Sequence, residues 1–197
     1  MLGQYLYTAA MSISADRESL FNEVYDEEHS PALKAVPGVL DVRRFRRIDP
    51  PGIRYLAVYE IASPDVPSSQ DWLEARDLGR WPSEVRPFIS ELHNGLYSWQ
   101  RDLDIGQSPA GDSEAGALLV VRGSPGDVKA HLASAVELMR RTGGTTAAAS
   151  YVDVRDGSIM VVSRATNPDA LRPTFTSMRE LLPASITTEA YARTGHG

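Results

Sequence analysis

VLDVRRFRRIDPPGIRYLAVYEI, residues 39–61, decides the fold. Residues 39–48 and 53–61 read as strands, the second apolar on both faces with Ile53, Tyr55, Ala57, Tyr59 and Ile61 opposing Leu56 and Val58, and Asp49-Pro50-Pro51-Gly52 between them is a hairpin turn signal. Upstream, Leu20, Phe21, Val24, Tyr25, Ala32, Leu33 and Val36 recur with the 3.6-residue period of an amphipathic helix. Asp16 is placed to cap that helix and Pro37-Gly38 to end it, while Pro31 predicts a kink or a fresh first turn near Ser30. Residues 4–13, before it, alternate as a strand. Downstream come a short helix over 70–78, a second over 82–92 closed by Asn94-Gly95, and a strand over 96–103. The order is β-α-β-β-α-β, the ferredoxin-like split motif.

The order then recurs. Residues 104–114, DIGQSPAGDSE, are polar and rich in Gly, Pro and Ser, as a linker would be. Beyond them lie a strand over 115–122, a helix over 125–141 stopped by Gly143-Gly144, and strands over 145–154 and 158–165 around an Asp-Gly turn. A helix over 167–182 and a strand over 186–192 complete the set. The chain therefore reads as one unit over 1–103, a linker over 104–114 and a second unit over 115–197. The halves share element order, not detectable sequence repetition. Each sheet has helices on one face only, yet both faces of the first strand are apolar, with Tyr5, Tyr7, Ala9 and Met11 opposing Leu6 and Ala10. The expected fold is α+β, two tandem ferredoxin-like units with sheets packed face to face as an α+β barrel, within the chain or across a homodimer.

Composition excludes several classes. Among 197 residues, 20 Lys+Arg face 26 Asp+Glu, a net charge of −6, so the basic excess that a nucleic-acid backbone requires is missing. There is no cysteine, which removes disulfides, thiolate zinc sites and cysteine nucleophiles. No apolar run approaches the ~18 residues of a membrane span, and the first twenty residues lack a basic leader. A soluble, cytoplasmic protein is expected. Phosphate-binding glycine loops, H-E-x-x-H and G-x-S-x-G are absent from the sequence.

Candidate chemistry gathers at Asp26-Glu27-Glu28-His29. Phe21, Tyr25 and His29 fall four residues apart on one helix face, which should turn towards the sheet. An imidazole there titrates near neutrality and is a candidate acid or base, with Asp26 or Glu28 to orient it. A histidine bonded to a backbone carbonyl freed by Pro31 is the structural alternative. The cluster does not supply three ligands, and His93, His131 and His196 are isolated, so no metal site is expected. Tyr7 and Tyr59 offer phenols to a developing oxyanion, or simply pack as strand aromatics. Trp72 and Trp81, with Arg86 beyond, could close an apolar pocket and bind an anionic substrate, or merely anchor helices on the sheet. Arg43, Arg44, Arg46 and Arg47 are split between two faces by strand alternation, which favours ion pairing over a nucleic-acid patch.

The run FNEVYDEEHSPALKAVPGV over 21–39, continued by Arg43-Arg44-Phe45 and by Arg54-Tyr55-Leu56-Ala57-Val58-Tyr59-Glu60, resembles the EthD-like family of the dimeric α+β barrel superfamily over roughly residues 3–100. The second half matches at the level of fold only. The resemblance implies the barrel, a homodimer, and a superfamily of cyclases, isomerases and oxygenases with or without haem. The resulting expectation is a cofactor-independent acid/base enzyme of lyase, isomerase, cyclase or dehydratase type, acting on a small apolar or aromatic substrate. His29, Asp26 and Tyr7 would carry catalysis, and Tyr25, Glu28, Tyr59, Trp72, Trp81 and Arg86 would bind substrate. A non-catalytic small-molecule-binding or assembly module, and an oxygenase of the same superfamily, are the alternatives.

Overall fold

A computed structural model describes residues 4–49, 54–104 and 115–194; residues 50–52 of the expected hairpin turn, Ile53 of the strand expected after it, and all of the expected linker except Asp104 lie outside them. The fold is α+β, and its eight strands form an antiparallel barrel in the hydrogen-bonded order β1-β3-β2-β8-β5-β7-β6-β4, numbered along the chain. Two compact units divide it. Among the described residues, an N-terminal unit takes 4–46, 54–96 and 194, and a C-terminal unit takes 47–49, 97–104 and 115–193.

In the N-terminal unit, β1 (Tyr5–Ser12) pairs with β3 (Arg54–Ile61) so that Tyr7 faces Tyr59 and Met11 faces Tyr55, and β2 (Val39–Arg47) flanks β3 on its other side. Ala9, Met11, Tyr55, Ala57, Tyr59 and Ile61 point to one face and pack with Phe21, Val24, Tyr25, Leu33, Trp72 and Trp81 from the helical layer. Leu6, Ala10, Phe45, Leu56 and Val58 point the other way and are equally buried. The alternation read from the sequence is thus realised with both faces covered. The four arginines of β2 are all ion-paired: Arg43 with Asp41 and Glu60, Arg44 with Asp26, Arg46 with Glu18, and Arg47 with Asp49 and Glu189.

The first helix is one continuous run in three parts. An α-helix, α1 (Glu18–Val24), passes into a π-helical turn over Tyr25–His29 and resumes as α2 (Ser30–Lys34). The irregularity expected from Pro31 is therefore a widened turn. Pro31 offers no N–H to the carbonyl four residues back, and the Ser30 amide bonds to the Tyr25 carbonyl, five back. Arg17, not Asp16, occupies the N-cap position, and no side chain caps the first turn.

The second helical segment departs further from expectation. α3 (Gln70–Arg76) forms with the Ser69 hydroxyl accepting from the Trp72 amide. The helix expected over 82–92 is instead a π turn, Trp81–Val85, and a 3-10 turn, Arg86–Phe88. Pro87 accounts for the break in part: it lacks the amide hydrogen that an α-helix continued from Trp81–Val85 would need from it. Ile89 is already extended, so β4 (Ser90–Leu103) is 14 residues long and Asn94-Gly95 lies inside it rather than at a helix end.

The C-terminal unit holds β5 (Ala117–Gly123), α4 (Pro125–Thr142), β6 (Ala147–Asp153), β7 (Ile159–Ala165), α5 (Pro168–Leu181) and β8 (Thr187–Thr194, all but its last residue), with the Tyr97–Leu103 end of β4 paired to β6. Ser124 and Asn167 cap α4 and α5 through the amides of Asp127 and Ala170, and Gly143 ends α4 in the left-handed region at φ 64°. Leu119, Val121, Met139, Val161, Leu171 and Met178 fill the space between helices and sheet.

Gly144 is held by close approach. A Cβ there would stand 1.9 Å from the Ala170 carbonyl oxygen in the first turn of α5. Gly144→Ala is expected to destabilise by about 2–4 kcal/mol, because backbone must move. Gly126→Ala, in the first turn of α4 with its nearest neighbour at 3.9 Å, should instead stabilise by about 0.5–1 kcal/mol. Urea melts of the two variants check this contrast.

Candidate active site

A cavity of about 380 Å³ opens in the N-terminal unit between the helical layer and the sheet. Tyr7, Ala9 and Met11 of β1 and Tyr59 of β3 supply its sheet side. Tyr25, His29 and Leu33 come from the first helical run, and Trp72 and Arg76 from α3. Trp81, Arg86, Ile89, Leu92 and Asn94 complete it. In the C-terminal unit the corresponding space between helices and sheet is filled: Leu132, Met139, Leu182 and Ile186 leave only about 10 Å³.

The rings fall into two groups. Tyr7, Tyr59 and Trp72 meet edge-on or tilted, with centroids 5.1–5.8 Å apart. Opposite them His29 lies flat on Trp81, centroids 3.9 Å apart and planes 12° from parallel, while Tyr25 presents its edge to both at 5.1 Å. A hydrogen bond of 2.6 Å between the Tyr25 and Tyr59 hydroxyls joins the groups. Burial pushes the Tyr25 phenol up to about 12 and the Tyr59 phenol well above its ordinary value, so both keep their protons near pH 7. Two hydroxyl hydrogens share one such bond, which leaves the second for an oxygen in the cavity.

The widened turn sets His29. Its Nδ1 is buried and has no hydrogen-bond partner among the described residues. Burial, and then the charge of Arg86, bring the imidazole down to about 3, so it is neutral over the physiological range and does not titrate near neutrality as its residue type alone suggests.

The two carboxylates beside it are engaged elsewhere. Asp26 accepts from Arg44 Nη1 at 2.7 Å, and Glu28 accepts from the Arg80 backbone amide at 2.9 Å and from its Nε at 2.5 Å. Neither lines the cavity, and neither contacts the imidazole. Their effect is indirect. Glu28 ties down the residue before Trp81, the ring on which His29 stacks. Asp26, with Asn22, anchors the Arg44 guanidinium, which lies 4.3 Å from the centre of the Tyr25 ring and about as close to Tyr55 and Phe21.

Of the nine residues singled out from the sequence, Tyr7, Tyr25, His29, Tyr59, Trp72, Trp81 and Arg86 line one cavity, and Asp26 and Glu28 do not. Arg44 was missed as a member of this neighbourhood. Strand alternation places it opposite Ala57, on the helix-facing side of β2, and that was the available signal. No group of three or more His, Cys, Asp or Glu among the described residues is placed to hold a metal ion. No helix among them is long and apolar enough to cross a membrane.

No family model and no curated protein matches the sequence. Solved structures do. A candidate monooxygenase from Fusobacterium nucleatum subsp. nucleatum ATCC 25586 aligns over 99% of this chain and 94% of its own, at a TM-score of 0.61 and 12% identity. An anthrone oxidase-like protein aligns over 98% of this chain and 92% of its own, at 0.58 and 8%. An ethyl tert-butyl ether D (EthD) family protein from Bacillus halodurans C-125 covers 46% of this chain with 96% of its own, at 0.36 and 14%. The full-length alignments show a shared fold, that of ferredoxin-like α+β barrel proteins.

His29 gives a pH signature. The unfolded chain accepts its proton near pH 6.5 and the folded chain resists it down to about 3, so the residue leaves stability unchanged above pH 7 and erodes it as pH falls through that window. Wild type should lose up to about 1.4 kcal/mol per pH unit more than His29→Asn between pH 6 and 4. Paired urea melts of the two proteins at pH 7.5 and 5.0 measure the difference.

Proposed function

We propose that the N-terminal unit is a cofactor-independent acid/base enzyme that takes a proton from a small aromatic substrate and stabilises the enolate-like oxygen that results. The observation carrying this reading is a neutral, desolvated imidazole beside a tyrosine pair with one hydroxyl hydrogen to donate. His29 is the base. Its basicity in the empty cavity is low because a lone imidazolium would be stranded among aromatic rings. A proton transferred from substrate arrives together with an oxyanion, and the two charges compensate. The Tyr25–Tyr59 pair donates to that oxyanion, fixed in place before charge develops, and Tyr7 and Trp72 hold the ring plane. The reaction class is lyase, isomerase, cyclase or dehydratase, each beginning with such a deprotonation.

A second reading extends the first step: the carbanion meets O2, and the enzyme is a cofactor-free oxygenase. Likeness in fold to a candidate monooxygenase and to an anthrone oxidase-like protein favours keeping it. Assembly as a homodimer belongs to the same proposal, and light scattering should return twice the 21.5 kDa of one chain.

Solvent-deuterium incorporation into the methylene of anthrone, followed by NMR under nitrogen, tests the proton step directly. Wild type should accelerate exchange, and His29→Ala should reduce the acceleration by about 10²–10⁴-fold while remaining folded. Exchange unchanged in His29→Ala, or absent from wild type although anthrone binds, would reduce the unit to a binding module. Oxygen uptake in air by wild type would select the oxygenase reading.

A further inference from the structure

The cavity has an uneven charge at its edge. Arg76 and Arg86 both line it, and both side chains are more than two-fifths exposed, so they stand where it meets solvent. Among the residues lining the cavity there is no Asp or Glu. One carboxylate, Asp77, serves both guanidinium groups: it pairs with Arg86 Nη2 and, at 3.3 Å, with Arg76 Nε. Arg86 Nη2 also donates to the Arg76 carbonyl at 3.2 Å, which holds the two arginines together. Two positive charges against one negative leave an excess of one.

The neighbouring arginines do not share this surplus. Arg44 is matched by Asp26, and Arg80 by both Glu23 and Glu28. An excess positive charge therefore stands at the mouth, in a chain whose net charge is −6. It is also felt inside. Arg86 is the largest charge effect on His29 and opposes its protonation more than Asp77 favours it. Arg86 commits only Nη2 among the described residues, to the Arg76 carbonyl and to Asp77, so its Nε–H and Nη1 hydrogens can each donate a single charge-assisted bond to an incoming carboxylate oxygen.

We infer that the site selects flat aromatic molecules bearing a single carboxylate, gripped at the mouth by Arg86 and Arg76 with the ring held between Trp72 and Trp81. The inference rests on the reading of this cavity as a substrate site and adds the charge that the substrate must carry. Asp77 acts as a positioning residue that limits the excess to one unit. A dianion would find no second cation to neutralise it, and an uncharged analogue would leave the arginine pair unanswered.

Titration of the intact protein with 2-naphthoate, 2-naphthalenemethanol and 2,6-naphthalenedicarboxylate, followed by tryptophan fluorescence, tests this. Naphthoate should bind at least about tenfold more tightly than the alcohol and more tightly than the dicarboxylate. Arg86→Gln should bring acid and alcohol within about threefold of each other. Arg76→Gln, on an exposed helix surface, should narrow the gap in the same direction if Arg86→Gln fails to fold. Equal binding of acid and alcohol by wild type, or a preference that survives in Arg76→Gln and Arg86→Gln alike, would overturn the inference. Failure of all three ligands would also overturn it, while deuterium exchange into anthrone would still report on His29 and keep the two questions apart.

Discussion

The Ser30 amide reaches the Tyr25 carbonyl, five residues back, and the geometry of the site follows from that one bond. In an ideal α-helix each residue turns by about 100°, so one additional residue in a turn shifts every side chain after it relative to those before. Here the widened turn lets Tyr25 and His29 both face the sheet while α2 continues along its own line. Tyr25 can then reach across to Tyr59, and the imidazole is delivered flat against Trp81. Trp81 opens a second π turn and is held by Glu28 through Arg80. The two irregular turns meet where His29 stacks on Trp81.

A neutral imidazole next to protonated phenols sits above a buried cation. Arg44 supplies it. Its side chain is 4% exposed, pressed among Phe21, Tyr25 and Tyr55, and its charge is balanced by Asp26 at the protein surface. The arrangement keeps a cation close beneath the tyrosine pair without opening the cavity to water. Replacing Asp26 would leave the buried guanidinium without its counter-charge, a costlier change than loss of an exposed ion pair.

Much of this was legible in the sequence, for identifiable reasons. The strands read over 39–48 and 53–61 and the Gly143 helix stop are local signals, and the structure places strands at Val39–Arg47 and Arg54–Ile61 and the stop at Gly143. The aromatic face of Phe21, Tyr25 and His29 was visible as a four-residue spacing, and that spacing survives the widened turn. Two things were not legible. A proline's effect is local but its outcome is not: Pro31 produced a π turn, and Pro87 replaced a helix with the start of a 14-residue strand. The partners of charged side chains were also hidden. Asp26 and Glu28 sit beside His29 in sequence, yet they pair with Arg44 and Arg80, residues 18 and 52 positions away. Proximity along the chain says little about where a flexible carboxylate finds its cation.

The two units share a topology and differ in what lies between helices and sheet. In the N-terminal unit the space between helices and sheet is held open by rings braced edge to face. In the C-terminal unit Leu132, Met139, Leu182 and Ile186 close the equivalent space. The helix-facing positions therefore carry opposite tasks: large rigid side chains that stop short of one another in one unit, and compliant aliphatic ones that interlock in the other. The halves are alike in the path of the backbone, and they differ in whether the space it frames is braced open or filled.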